Sequence, residues 1–211
     1  MSEIGDTIST VLESDKRFSN FERVADRRWV SSPSDCIYKM FEFQALKGDQ
    51  LSARWGWSIG FVPVLKGRKL ASKRSATKAV LDLCIDPIDE SAEIRNWHRF
   101  TRSDGVLTIS RTSKSSLDAA YKDLRTINTL TELAAMFERR STMRFQRFSL
   151  ENYIQTDLAW GLLLISIGQP HDGKRHIDKF CDSFDIPRDL TALAKAEAQA
   201  NLVFDGRRDI L

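Results

Sequence analysis

The chain has 211 residues, 42% of them hydrophobic and 29% charged, with a formal net charge of +3. A chain of that length buries roughly 70% of its unfolded surface, so it needs no disulfide or structural metal to hold a core, and its slight basicity permits an anionic partner without requiring one. Cys36, Cys84 and Cys181 are too far apart for a disulfide framework or a metal-ligand motif, the first ten residues lack a signal-peptide pattern, and the apolar run Leu162 to Ile165 is too short to span a bilayer. The expectation is a protein of a reducing, cytoplasmic compartment with no membrane partner.

Ile4, Ile8, Val11 and Leu12 recur at helical spacing and predict a first helix from about Gly5 to Lys16. Residues 27–31 read as a short strand, and Ser32-Pro33-Ser34-Asp35 is turn chemistry. Cys36 to Leu46 is a second strand in which Ile37, Phe41, Phe43 and Ala45 share a parity that Lys39 interrupts. Lys47-Gly48-Asp49-Gln50 closes a hairpin into the clearest element of the chain. There Leu51, Ala53, Trp55, Trp57, Ile59 and Phe61 alternate with small or polar residues, the period-two pattern of a strand with one buried face. Residues 66–78 read as a basic loop. Ala79 to Asp86 and Val106 to Arg111 read as two further strands, which completes an antiparallel meander of about five.

The second half is helical. Leu117, Tyr121 and Leu124 lie at helical spacing, and Thr129 with Glu132 forms a capping box ahead of Leu133, Met136 and Phe137. Leu150 to Ile167 predicts a central buried helix that stops at Gly168 and Pro170. His171 to Phe184 is amphipathic, a last helix runs from near Pro187 to about Ala200, and Gly206 to Leu211 reads as a loose tail. The fold class is therefore α+β: one domain over 1–211, sheet-rich over about 1–112 and helical over about 113–205. The hairpin of helices at 150–184 has the form of one tetratricopeptide unit, but a single unit does not make an array.

Three groups of residues bear on function. Lys66, Arg68, Lys69, Lys73, Arg74 and Lys78 fall within thirteen residues that hold no acid, which suits phosphate contacts and gives a nucleic-acid reading. Trp55, Trp57 and Phe61 offer stacking faces beside it, although their shared parity points to the core. Arg139, Arg140, Arg144 and Arg147 form a second cationic cluster. With Arg54, Glu42 and Gln44 on the outer sheet face, it fits an acidic protein partner. Asp82 and Asp86 share a strand face and raise a metal-dependent hydrolase reading, against which stands a solvent-facing edge with Leu81, Leu83 and Ile85 buried. His171 and His176 are five apart and off a common helical face, so a helical metal pair is missing. Asp172 and His176 have the spacing of a helix-surface hydrogen bond. No residue pattern requires a cofactor or marks a catalytic group.

The order of signals resembles a known family. A leading helix reaches Phe18, and Arg28-Trp29-Val30 follows. A strand ending in Phe43-Gln44 and the aromatic strand Trp57-Ser58-Ile59-Gly60-Phe61 come next, then Leu130-Thr131-Glu132-Leu133 and Ile167-Gly168-Gln169-Pro170. This order, over Ile4 to Phe184, is similar to a family of bacterial α+β domains of unknown function. The polar residues usual after the Gln are absent at Ala45-Leu46. Some families of similar size and architecture are toxin-immunity proteins. The resemblance supports the fold more than a role; with no convergent set of titratable groups, the expectation is a non-enzymatic protein of immunity or adaptor type that acts by protein–protein contact.

Overall fold

The computed structural model describes residues 3–66, 69–71, 75–85, 98–141 and 153–208. Helix α1 (Glu3–Glu13) buries Ile8 and Leu12, and a 3-10 turn follows over Lys16–Phe18, its Arg17 amide capped by the Asp15 carboxylate. The sheet is then laid down as β1 (Phe21–Ala25), β2 (Arg28–Ser31), β3 (Ile37–Ala45) and β4 (Gln50–Ile59), each antiparallel to the one before. A separate hairpin, β5 (Val64–Lys66) and β6 (Lys69–Ala71), precedes β7 (Leu83–Ile85) and β8 (Arg99–Thr101). Both β7 and β8 pair with β4, so the sheet order is β1-β2-β3-β4-β7 with β8 beside β7 on the same edge. The helical half comprises α2 (Val106–Leu124), α3 (Leu130–Ser141), α4 (Tyr153–Ser166), α5 (Pro170–Phe184) and α6 (Thr191–Arg208).

The alternation in β4 does what its period dictates. Leu51, Ala53, Trp55, Trp57 and Ile59 are all buried and face a core shared with Trp29, Phe41 and Phe43. Phe41 stacks on Trp55 with ring centroids 6.5 Å apart, and burying each such side chain contributes about 1.5–3 kcal/mol. Gly56 is required where it stands: a Cβ there would lie 1.9 Å from the Leu83 carbonyl oxygen, so only glycine lets β7 pair at that point. Lys39 breaks the parity of β3 because it is half-buried and donates to Asn128 Oδ1 at 2.9 Å. Burial lowers its pKa, and Glu132 opposes the shift. The same cluster extends through the helices to Ala200, with α4 buried all round from Leu158 to Ser166.

The junction of sheet and helices is stitched by polar bonds. The turn at Asp35 and Cys36, both with positive φ, joins β2 to β3. From it the Asp35 carboxylate accepts the Leu130 N–H at 2.9 Å, and Ser34 donates to the Asn128 carbonyl. The capping box forms as read: Glu132 accepts from the Thr129 amide at 3.0 Å, and Thr129 Oγ1 accepts from the Glu132 amide at 3.2 Å. At the crossing of α4 and α5, a Cβ on Gly161 would lie 2.6 Å from the Gly173 carbonyl, and one on Gly173 would lie 2.5 Å from the Gly161 carbonyl. The two helices meet backbone to backbone.

Several readings are corrected. Val106 to Arg111 is not a strand but the opening of α2, so the helical half begins there. Its buried positions, Ile109, Ser113, Ser116, Leu117, Ala120 and Leu124, follow a helical stripe, and the serines in that stripe hide it from a hydrophobic pattern. The span Ala79 to Asp86 contributes only Leu83–Ile85 as strand, and Asp86 lies outside the described residues. The basic loop contains the β5–β6 hairpin and a 3-10 turn at Ala76–Lys78. The last helix continues to Arg208, so Gly206 to Arg208 is not a loose tail. Four strands, β1, β5, β6 and β8, have no counterpart among the strands expected from the sequence.

Candidate functional site

The outer face of the sheet carries Arg54, Glu42 and Gln44 as expected, but two of them are committed to the fold. Arg28, Glu42 and Arg54 form one row across β2, β3 and β4. Glu42 is 4% exposed and receives Arg28 Nε at 2.5 Å on one oxygen and Arg54 on the other. Arg28 also donates to the Ala79 carbonyl. Beside this row a second cluster, Val30, Met40, Ala79, Leu81 and Cys84, covers part of the outer face. Arg54 is therefore a counter-charge for a buried carboxylate.

Asp82 is fully buried, not solvent-facing. Its Oδ2 accepts the Ile59 amide at 2.8 Å and lies 3.4 Å from Ser58 Oγ. The alternation argument fails there because β7 is covered on both faces, with Leu83 in the main core and Cys84 in the second cluster. Among the described residues no group of three His, Cys, Asp or Glu side chains is placed to hold a metal ion. Trp55 and Trp57 are core residues, and Trp55 Nε1 donates to Asp123 at 2.8 Å. His98, also buried, presents its ring edge-on to Trp55 and shares a hydrogen bond with Ser116 at 3.0 Å. Ser116 Oγ is itself a donor to the Thr112 carbonyl, so His98 Nδ1 is the donor to Ser116, and burial lowers the imidazole pKa.

Of the cationic clusters, Arg139 is exposed near the end of α3. The side chain of Arg140, and Arg144 and Arg147 altogether, lie outside the described residues. In the basic segment Lys66, Lys69 and Lys78 are exposed, and Arg68, Lys73 and Arg74 lie outside the described residues. The expected Asp172–His176 contact is replaced: Asp172 pairs with Arg175 at 2.9 Å, and His176 Nδ1 sits 3.1 Å from Asp157 on α4, which also binds Lys179 at 2.9 Å.

Those pairs border a groove that the sequence did not reveal. It lies between α3 and α5 with α4 beneath, and encloses about 350 Å³. Its floor is Trp160, Leu164 and Ile167. Thr131, Ala134, Ala135 and Glu138 make one wall, and Asp172, Arg175 and His176 make the other, with Gln169 at the junction. Residues 131 to 138 span two helical turns, so the α3 wall is about 10 Å long. Trp160 is held in place by Phe137, stacked at 4.1 Å, and by the edge of His176 at 6.0 Å. The small Ala134 and Ala135 leave the space that a larger pair would fill. Such a site, with an apolar floor and polar rim in the size range of ligand pockets, suits a bulky side chain below and charged groups above. Heptad spacing marks each wall, yet nothing in one helix tells which neighbour it faces.

No helix among the described residues is long and apolar enough to cross a membrane. No family model, curated protein or solved structure matches the chain.

Proposed function

We propose that this protein is a non-enzymatic binding protein of immunity or adaptor type that takes a segment of a partner protein in the α3–α4–α5 groove. The observation that carries this reading is the groove itself, an indole and aliphatic floor between a mostly uncharged α3 wall and an α5 wall that carries the Asp172–Arg175 ion pair. A fixed apolar pocket gives a single anchor side chain most of the binding energy, and a charged rim sets orientation and on-rate. Arg175 is exposed on the rim, so the partner segment carries an apolar anchor with an acidic residue beside it. The proposed setting is cytoplasmic, in keeping with three cysteines that no disulfide joins.

The test is capture of partners from the host's lysate by the tagged protein after nuclease treatment, compared with Ala135→Arg. Ala135 is exposed on the groove wall, so the new side chain occupies the groove without entering the core. A partner held by the parent and lost by Ala135→Arg is the expected result, with Arg175→Glu weakening it. Partners retained equally by all three proteins would remove the groove from the function.

A further inference from the structure

The β5–β6 hairpin pairs Val64 with Ala71, Leu65 with Leu70 and Lys66 with Lys69. Leu65 and Leu70 are half-buried and pack on the main core, where β5 meets α4 and β6 meets α6. The middle pair therefore seats the hairpin, and the end pair, Lys66 and Lys69, is exposed. Directly opposed side chains on one sheet face have Cβ atoms about 4.5–5.5 Å apart, so the two ammonium groups repel and destabilise the pairing.

Elsewhere the fold neutralises such charge. Arg17 lies between Asp15 and Asp118, and Arg188 lies between Asp178 and Asp182. Among the described residues neither Lys66 nor Lys69 has an ion-pair partner. Residues 66–78 contain six Lys or Arg and no acid, and the exposed Lys78 follows on the next turn. An in-register cation pair on a seated hairpin, with no ion-pair partner among the described residues, is a place where an outside anion relieves repulsion.

Lysine is a compact point charge that binds phosphate, and it is depleted in the cores of protein interfaces. Leu65 and Leu70 turn inward, and beside the lysines the outer face offers only the half-buried Val64 and Ala71, a small apolar area for a bilayer. We propose that the β5–β6 hairpin is a phosphate-contacting arm: Lys66 and Lys69 grip the backbone of a nucleic acid without reading its sequence. No residue of the arm lines the groove, and the proposal does not depend on it.

The test is binding of the full-length protein to a short labelled DNA duplex, and to an RNA of the same length, at about 50 and 200 mM salt. Each duplex phosphate contact contributes about −0.9 to the slope of log affinity against log salt. Lys66→Gln with Lys69→Gln should therefore flatten the duplex slope by about 1.8. Across that interval the parent should lose about 12-fold more affinity than the double variant. Lys114→Gln with Lys122→Gln removes equal charge from exposed positions on α2 and should keep the parental slope, as should Ala135→Arg. The proposal is overturned if the parent binds neither nucleic acid, or if the hairpin variant keeps the parental slope. It is also overturned if the α2 variant flattens the slope equally, or if the parent prefers polyglutamate or anionic vesicles to nucleic acid.

Discussion

The outer sheet face and the helical groove are built from the same residue types and put them to opposite uses. On the sheet, Glu42 is closed in by Arg28 and Arg54, and an apolar cluster seals the flank. At the groove, Asp172 with Arg175 and Asp157 with His176 and Lys179 stay at a solvent-accessible rim above a floor that no side chain fills. A charged row on a strand is thus not a docking surface when the pleat packs it under a second layer. What separates the two regions is burial of the acid, and that can be tested by breaking each in turn.

Glu42→Ala removes a buried carboxylate and leaves two arginines facing each other, so we expect a loss of about 3–5 kcal/mol in urea unfolding. A loss below about 1 kcal/mol would mean that the triad is as solvent-screened as the groove rim. Gly161→Ala forces a methyl group against the Gly173 carbonyl and should cost about 1–3 kcal/mol, seen as a lower Tm, while the sheet-side tryptophan environment stays unchanged. His98 gives a smaller, pH-dependent effect. Its folded pKa lies below the unfolded value of about 6.5, so both states are neutral above that pH and stability is level there. As pH falls below it, the unfolded chain takes up the proton first, and stability declines until the folded pKa is passed. Thermal unfolding at neutral and mildly acidic pH should show a decline that His98→Gln reduces; an equal decline in both proteins would assign the effect to other groups. Arg175→Gln at the groove rim should change stability by less than about 0.5 kcal/mol, since exposed pairs contribute little.

The same contrast explains what could be read from the sequence. β4 was legible because every second residue enters one core, and α5 because Ile177, Phe180 and Cys181 mark one stripe. The α3 start was legible because Thr129 and Glu132 bond to each other locally. β1 escaped because, as an edge strand, it has no fully buried residue and no apolar alternation, with Glu22 and Arg23 side by side. The start of α2 escaped because its buried stripe uses Ser113 and Ser116, while Val106 and Leu107, its most strand-like residues, are exposed. Asp82 was misplaced because a pleat argument assumes one wet face. The groove could not be read at all, since it exists only where α3 approaches α5.

The Asp35–Leu130 bond carries a kinetic consequence. A helix start is usually closed by a neighbour in sequence, but here one of the α3 amides is closed by a carboxylate 95 positions earlier. That bond forms only after the β2–β3 turn and α3 have met. If the meeting follows the rate-limiting step, Asp35→Ala should leave the refolding limb of a chevron unchanged and speed unfolding about fivefold, the equivalent of about 1 kcal/mol. A slower refolding limb would instead put the joining of sheet and helix inside the folding nucleus, and with it the wall of the groove.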